Sequence, residues 1–144
     1  MPLKIVSILI IICVLLLQAC SFGSHTRSKS PHFSGQLHFN NTAIVNAKIM
    51  LSIAPDDKYC LQAKTFTTTN NQGKFNLNAI SEKHTYIPFA DQQLDQWTLC
   101  AKYKDNTYSL YTNNRYGSGS VSGSVVLQCN LALSTTQPLC SSTR

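Results

Sequence analysis

Apolar and polar residues alternate along most of the chain after residue 34, which is the period of a strand with one buried face. The alternation is clearest in four segments, residues 35–39, 47–53, 97–103 and 125–131. In each segment the odd-numbered positions form the apolar face. The pattern therefore predicts an all-β domain in which these positions face the core.

A second signal is the turn sequence at residues 70–73, which separates the threonine-rich run 64–69 from the alternating run 75–79. Gly73 is expected to take a positive φ there, because glycine pays little for that conformation. The two runs around this turn predict a hairpin. Residues 81–96 show no period and are predicted to be irregular. About seven short strands with such turns favour a two-sheet sandwich.

The N-terminus carries Lys4, an apolar run over residues 5–17 and then Leu17-Gln18-Ala19-Cys20. The run is shorter than the roughly 20 apolar residues that span a bilayer. It fits the shorter apolar region of an export signal, with small residues near the cut.

With a cysteine at the cut, the segment resembles a bacterial lipoprotein signal. In that family the signal is removed before the cysteine, which is then acylated. The resemblance implies a signal peptide over residues 1–19 and membrane anchoring through acylated Cys20. Ser21 follows the cysteine, and by the family's sorting rule a residue other than Asp implies the outer membrane, here on its periplasmic face.

Residues 20–33 contain Arg27, Lys29 and Pro31 and few apolar side chains. They are predicted to form a flexible tether, so that the folded domain covers residues 34–144. The formal charge of the whole chain is +6, with only 12% charged residues. This charge favours acidic partners. No motif of interleaved basic and aromatic residues indicates nucleic-acid binding.

Cys60, Cys100, Cys129 and Cys140 remain once Cys13 is removed with the signal and Cys20 is acylated. An even number of cysteines in an oxidising compartment predicts two disulfides. Four cysteines allow three pairings, and the sequence does not choose among them. We favour Cys100–Cys129 within the domain and Cys60–Cys140 at its C-terminal tail. A zinc site is the alternative, disfavoured because no two of these cysteines have close ligand spacing.

Three segments carry a further resemblance: Gly35-Gln36-Leu37, Asn46-Ala47-Lys48-Ile49 and the run TTTNNQGKF at residues 67–75. They resemble carboxypeptidase regulatory-like domains, which belong with the transthyretin-like β-sandwiches. Asn70 stands where that family often has Asp. The resemblance implies a two-sheet antiparallel sandwich, and an accessory, binding or structural role.

Residues that could carry chemistry are few. His25, His32, His38 and His84 have no carboxylate beside them at ligand spacing, so we predict neither a metal site nor a cofactor. Gly117-Ser118-Gly119-Ser120 lacks the spacing of a serine nucleophile motif. Asp56-Asp57 lacks the spacing of a calcium loop and is predicted to be a solvated turn. We therefore expect no catalytic residues and no enzymatic activity.

Tyr111, Arg115 and Tyr116 are candidates for partner contact, since tyrosine and arginine are enriched at interfaces. Cross-strand packing explains the tyrosines equally well. The resulting hypothesis is a non-enzymatic interaction module with an envelope or periplasmic protein partner, accessory to an envelope or secretion assembly. The alternatives are an immunity lipoprotein that blocks a toxin, and a lipoprotein that binds a small ligand or glycan.

Overall fold

The computed structural model describes residues 24–85, 94–116, 123–132 and 138–143, which form strands joined by turns and loops. Side chains are not described at residues 25, 84, 85, 94, 95, 114–116 and 143. Among the described residues there is no helix of the length and hydrophobicity needed to cross a bilayer. The strands are β1 (Ser24–Ser28), β2 (His32–Phe39), β3 (Thr42–Ala43), β4 (Lys48–Ser52), β5 (Thr65–Thr68), β6 (Lys74–Leu77), β7 (Ser81–Thr85), β8 (Leu94–Tyr103), β9 (Asn106–Tyr116), β10 (Ser124–Asn130) and β11 (Cys140–Thr143).

The strands form three sheets. One is a four-stranded antiparallel sheet in the order β5-β4-β8-β9. The second has β2 at its centre, with β10 and then β11 on one side and β3 and β6 on the other. The third is the pair β1–β7. The all-β prediction is confirmed by this arrangement.

One hydrophobic core is shared by the two larger sheets. The β2-centred sheet contributes Phe33, Leu37 and Leu127, each fully buried, and the four-stranded sheet contributes Ile49 and Leu99 in the same way. The cluster also includes Trp97, whose ring meets the ring of Phe33 edge-on at a centroid distance of 5.0 Å. The odd-numbered positions that the alternation assigned to the core are therefore the buried ones along most of these strands.

The hairpin predicted around residues 70–73 is wrong, although the turn itself is present. Asn70 closes the turn, because its Oδ1 accepts hydrogen bonds from the amides of Gln72 and Lys74, both at 2.9 Å. Gly73 takes φ +72°, as predicted. The strands on either side then join different sheets, with β5 pairing β4 and β6 pairing β2. The turn thus carries the chain from one sheet to the other.

The tether predicted over residues 20–33 is corrected for its described part. Ser24–Ser28 form a strand that pairs with Ser81–Thr85, a segment predicted to be irregular. Ser30 is fully buried, and its hydroxyl accepts a hydrogen bond from the amide of Ile80 at 2.9 Å. Both strands of this pair are polar, so they are held by main-chain pairing, which leaves no apolar period in the sequence.

The prediction of about seven antiparallel strands is also corrected. The described residues contain eleven strands, and β10 lies parallel to β2, with Leu127 opposite Gly35. Glycine is required at this position because a Cβ on residue 35 would collide with the carbonyl oxygen of Leu127 and lie 2.9 Å from Cζ of Phe75. Gly35 therefore lets the last long strand approach the centre of the sheet.

Candidate functional site

The disulfides differ from the favoured pairing. Cys60 bonds to Cys100, and Cys129 bonds to Cys140, so the preference for Cys100–Cys129 and Cys60–Cys140 is wrong. Cys129 and Cys140 are directly opposite each other in the β10–β11 pair. Cys100 pairs in register with Met50 and lies on the face of the four-stranded sheet that points away from the core. The prediction of two disulfides among these four cysteines is confirmed.

The outward face of the four-stranded sheet is ordered in rows across its strands. Lys48 of β4 lies opposite Thr68 on one side and Lys102 on the other. Met50 lies opposite Phe66 on β5 and Cys100 on β8. The next row contains Ser52, Thr98 and Thr112. This face is the candidate site, because exposed apolar, basic and hydroxyl groups lie together on the sheet and on the loop that crosses it.

Residues 53–64, here named the clamp loop, cross this face between β4 and β5. The Cys60–Cys100 disulfide fixes the loop to β8, and both cysteines are buried. Sγ of Cys60 lies 3.3 Å from the carbonyl oxygen of Thr98, and Sγ of Cys100 lies 3.6 Å from that of Lys58. The loop is therefore tied covalently to the strand beneath it.

Asp57 supplies a second attachment inside the clamp loop. Its carboxylate accepts hydrogen bonds from the Ser52 hydroxyl at 2.6 Å and from the amides of Leu61 and Gln62 at 2.8 and 2.7 Å. Burial raises the pKa of Asp57, but the hydrogen bonds from Ser52, Gln62 and Leu61 favour the charged form, and the net pKa is lowered. The prediction of a solvated turn is wrong at Asp57, which is 8% exposed.

The backbone of the clamp loop is held in an uncommon conformation at two residues. Asp56 has φ 56° and Cys60 has φ 53°, both in the left-handed region. Non-glycine residues remain in such conformations when surrounding interactions determine them, and these conformations are frequent at binding sites. Here the determining interactions are the disulfide and the hydrogen bonds of Asp57.

Three large apolar side chains are exposed on or beside the clamp loop. The exposed fractions are 86% for Leu61, 63% for Phe66 and 51% for Tyr59. Tyr59 and Leu61 flank the buried Cys60 in sequence, and Phe66 lies on the outward face of β5. These residues are named the apolar trio. Lys48 places its Nζ 4.2 Å from the centroid of the Phe66 ring, a cation–π contact.

A groove with a volume of about 370 Å³ lies between the clamp loop and strands β8 and β9. It is lined by Asp56, Lys58, Thr98, Ser109 and Thr112. The lining offers one carboxylate, one ammonium group and three hydroxyls. Such a set can hydrogen-bond a polar side chain or a small polar ligand.

Tyr111, one of the candidate contact residues, packs against the core. Its ring stacks on Trp97 at a centroid distance of 5.5 Å and an interplanar angle of 19°. A register shift between Leu99 and Cys100 leaves Leu110 without a direct partner on β8 and places Tyr111 opposite Leu99. Tyr111 therefore takes part in cross-strand packing, which was the alternative explanation for the tyrosines. Arg115 and Tyr116 lie in β9, and their side chains are outside the described part.

The histidines do not converge in the described part of the molecule. His32 places Nε2 2.6 Å from Oδ1 of Asn76, and His38, which is also on β2, lines a groove next to β10. His25 and His84 are opposite each other in the β1–β7 pair. Within the described ranges, no three His, Cys, Asp or Glu side chains are grouped so that they could hold a metal ion.

Sequence reasoning missed the clamp loop. Cys60, Asp57 and Ser52 were visible, but their convergence depends on how the loop folds back over β8. The isolated apolar residues Tyr59 and Leu61 within a polar stretch were the one available signal. Cys20 lies outside the described residues, so acylation stays a prediction from the sequence.

No model of a known protein family matches this chain, and no curated protein matches it significantly.

Proposed function

We propose that this chain is a lipoprotein anchored to the periplasmic face of a bacterial outer membrane through acylated Cys20. Its transthyretin-like sandwich domain binds another envelope protein and performs no catalysis. The sequence pattern around Cys20 supports the anchor. Two sheets that share one core, with the Gly35 and Gly73 positions of the resemblance, support the sandwich.

One observation carries the binding role, namely the exposure of the apolar trio, of which Tyr59 and Leu61 lie on a loop fixed by a disulfide and Phe66 lies on the strand that follows it. Leu61 is 86% exposed, although its backbone amide is bonded to Asp57. Scattered apolar residues on a surface need no explanation, but grouped ones mark interaction sites. A pre-organised loop also loses less conformational entropy when a partner binds.

The test is affinity capture of the tagged, acylated chain from detergent-solubilised envelopes, with bound proteins identified by mass spectrometry. The wild type is compared with Leu61→Ser/Phe66→Ser. The matched control is Phe39→Ser/Val126→Ser, which removes two exposed apolar side chains of the β2-centred sheet. We expect one protein enriched near stoichiometry, retained by the control and lost by Leu61→Ser/Phe66→Ser.

Equal capture by all three proteins would refute the role of the apolar trio. Failure of the wild type to enrich any protein after mild cross-linking would refute the interaction module itself. The captured protein would also separate two versions of the proposal, because a toxin indicates immunity and an envelope component indicates an accessory role.

The groove beside Lys58 supports a second candidate, a binder of small polar ligands or glycans. Its volume lies within the range of small-molecule sites, about 300–1,000 Å³. Its hydroxyl-rich lining suits a sugar better than an apolar ligand. Thr112→Val together with Ser109→Ala would then abolish binding of a periplasmic glycan fragment while leaving protein capture intact, as measured by titration calorimetry.

A further inference from the structure

The outward face of the four-stranded sheet is basic where the clamp loop leaves it uncovered. Lys48 and Lys102 are both exposed and lie directly opposite each other in the β4–β8 pair. Like charges in this relation repel, since directly opposed residues have Cβ atoms only about 5 Å apart. An anion between them would relieve that repulsion.

Two more ammonium groups border the same face. Lys58 lies in the clamp loop and lines the groove, and Lys64 is the last residue of the clamp loop and is exposed directly before β5. In the clamp loop the carboxylates are Asp56, at the groove, and Asp57, which accepts hydrogen bonds from Ser52, Leu61 and Gln62; Asp105 lies in the turn between β8 and β9.

The outward face of the other large sheet is different in character. Its central strands present Gln36, Asn76 and Gln128, and Lys74 is the ammonium group that lines its groove. The face of the four-stranded sheet thus carries two lysines on its strands and two at the clamp loop, and it also carries Phe66. Charge and exposed apolar surface occur together on one side of the molecule.

We propose that this basic face binds an acidic segment of a protein partner, in which carboxylates alternate with apolar side chains. The inference rests on the proposed interaction role and names the chemistry of the partner. Carboxylates of the segment bridge Lys48 and Lys102, and the neighbouring apolar side chain packs on the exposed ring of Phe66. Lys48 already lies over that ring, so both contacts are made in one place.

A protein segment suits this face better than an anionic lipid surface. A short segment can lie over Lys48 and Lys102, four positions along the strands from Thr98 at the groove, and so avoid Asp56, whereas a uniformly negative membrane would also face that carboxylate. The hydroxyls of Ser109 and Thr112, 3.4 Å apart at the groove, offer directional hydrogen bonds to a single side chain or peptide group.

The experiment measures fluorescence anisotropy of a labelled ten-residue peptide of alternating Glu and Leu, titrated with the acylated chain in neutral detergent micelles. A peptide of alternating Lys and Leu is the probe control. The test variant is Lys48→Glu/Lys102→Glu, and Lys74→Glu/Lys83→Glu is the protein control with the same change in net charge. Thermal midpoints of all proteins are measured first. We expect them to agree, because the substituted lysines are all exposed.

We expect the acidic peptide to bind and the basic peptide to fail. Lys48→Glu/Lys102→Glu should weaken binding about tenfold or more, as the loss of two attractive contacts and their replacement by repulsion implies. The control variant should change the affinity far less, and raising the salt concentration should weaken binding throughout.

Equal weakening by both variants would overturn the assignment to this face, since only total charge would then matter. Preference of the wild type for phosphatidylglycerol vesicles over the acidic peptide would assign the face to lipid instead. Absence of peptide binding would also overturn the inference. It would leave the proposed function standing if affinity capture still enriches a partner that depends on Leu61 and Phe66.

Discussion

Asp57 is the single residue that joins most parts of the clamp loop. Its carboxylate contacts a side chain of β4 and two amides at the far end of the loop, while the disulfide holds the middle. Asparagine has the same shape but would offer one acceptor oxygen and place an N–H₂ group against donors. The geometry of the loop should therefore depend on the charge of this one group.

For Asp57→Asn we expect a loss of roughly 2–3 kcal/mol in the free energy of unfolding at pH 7, since hydrogen bonds to a buried charged acceptor are lost. Urea denaturation measures it. Asp56→Asn is the control, because Asp56 is exposed and asparagine tolerates its left-handed backbone. An equal loss in both variants would contradict the account of Asp57.

The carboxylate of Asp57 also makes the free energy of unfolding depend on pH, in a direction that its lowered pKa determines. Its pKa is lower in the folded chain than in the unfolded chain, where it is about 3.9. The unfolded chain binds more protons between the two values, so the contribution of Asp57 to stability is fully present well above the unfolded pKa and is lost as the pH falls through the folded pKa. Asp57→Asn should flatten this part of the pH profile of unfolding. An unchanged profile would contradict the lowered pKa.

Gly35 is a second residue whose role is local and testable. Gly35→Ala should lower the free energy of unfolding by roughly 1–3 kcal/mol, a typical cost of overpacking, because the new methyl group meets the backbone of Leu127. Ser34→Ala on the same strand should stay within about 0.5 kcal/mol of the wild type. Equal stability of Gly35→Ala and wild type would contradict the close approach of β2 and β10.

At the scale of elements, one-sided burial decides what the sequence can predict. In strands β2, β4, β8 and β10 the large apolar residues lie on one face, so their alternation was visible, although the clamp loop also buries Thr98 and Cys100 on the other face of β8. Strands β1 and β7 are polar and held by main-chain pairing, so nothing in their residues distinguished them from loops. The alternation does not show which strands pair. A turn sequence such as that of residues 70–73 can close a hairpin or connect two sheets, and its residues are the same in either case.

The disulfides and the clamp loop were beyond sequence reasoning for a related reason. Cysteine pairing depends on which side of β8 Cys100 faces and on where the loop carries Cys60. The hydrogen bonds of Asp57 depend on the same fold of the loop. The number of disulfides could be predicted from the sequence, because an even number of cysteines in an oxidising compartment is expected to pair.

The two disulfides should have separable effects. Cys60→Ala/Cys100→Ala opens a 40-residue separation and should cost about 4 kcal/mol, against about 3 kcal/mol for the 11-residue separation of Cys129→Ala/Cys140→Ala, by the chain-entropy relation. Partner capture should be lost in the first variant only, since only that bridge fixes the clamp loop. Capture that survives the first variant would contradict a pre-organised loop.

The pairing itself is measured by peptide mapping of non-reduced protein purified from detergent-solubilised envelopes. We expect one linked peptide pair containing Cys60 and Cys100 and another containing Cys129 and Cys140. Labelling of these four residues as free thiols would refute both bridges.

At the scale of the whole molecule, the proposal joins an anchor at one end of the chain to a binding face on the domain. Cys20→Ala should remove acylation and release the protein from envelope membranes, as measured by mass spectrometry and fractionation. Several acyl chains anchor a protein firmly in a membrane. Because Cys20→Ala would carry none of them, its release should be nearly complete. Firm retention of Cys20→Ala in the membrane fraction would refute the lipoprotein assignment.

Site-specific photo-crosslinking in intact cells shows whether the face bearing the apolar trio contacts a protein partner. A benzophenone amino acid replaces Phe66 in one strain and Val126, exposed on the other large sheet, in a second strain. We expect a discrete crosslinked species with one other protein from position 66 and none from position 126. The same crosslinked species from both positions, or from position 126 alone, would contradict that expectation.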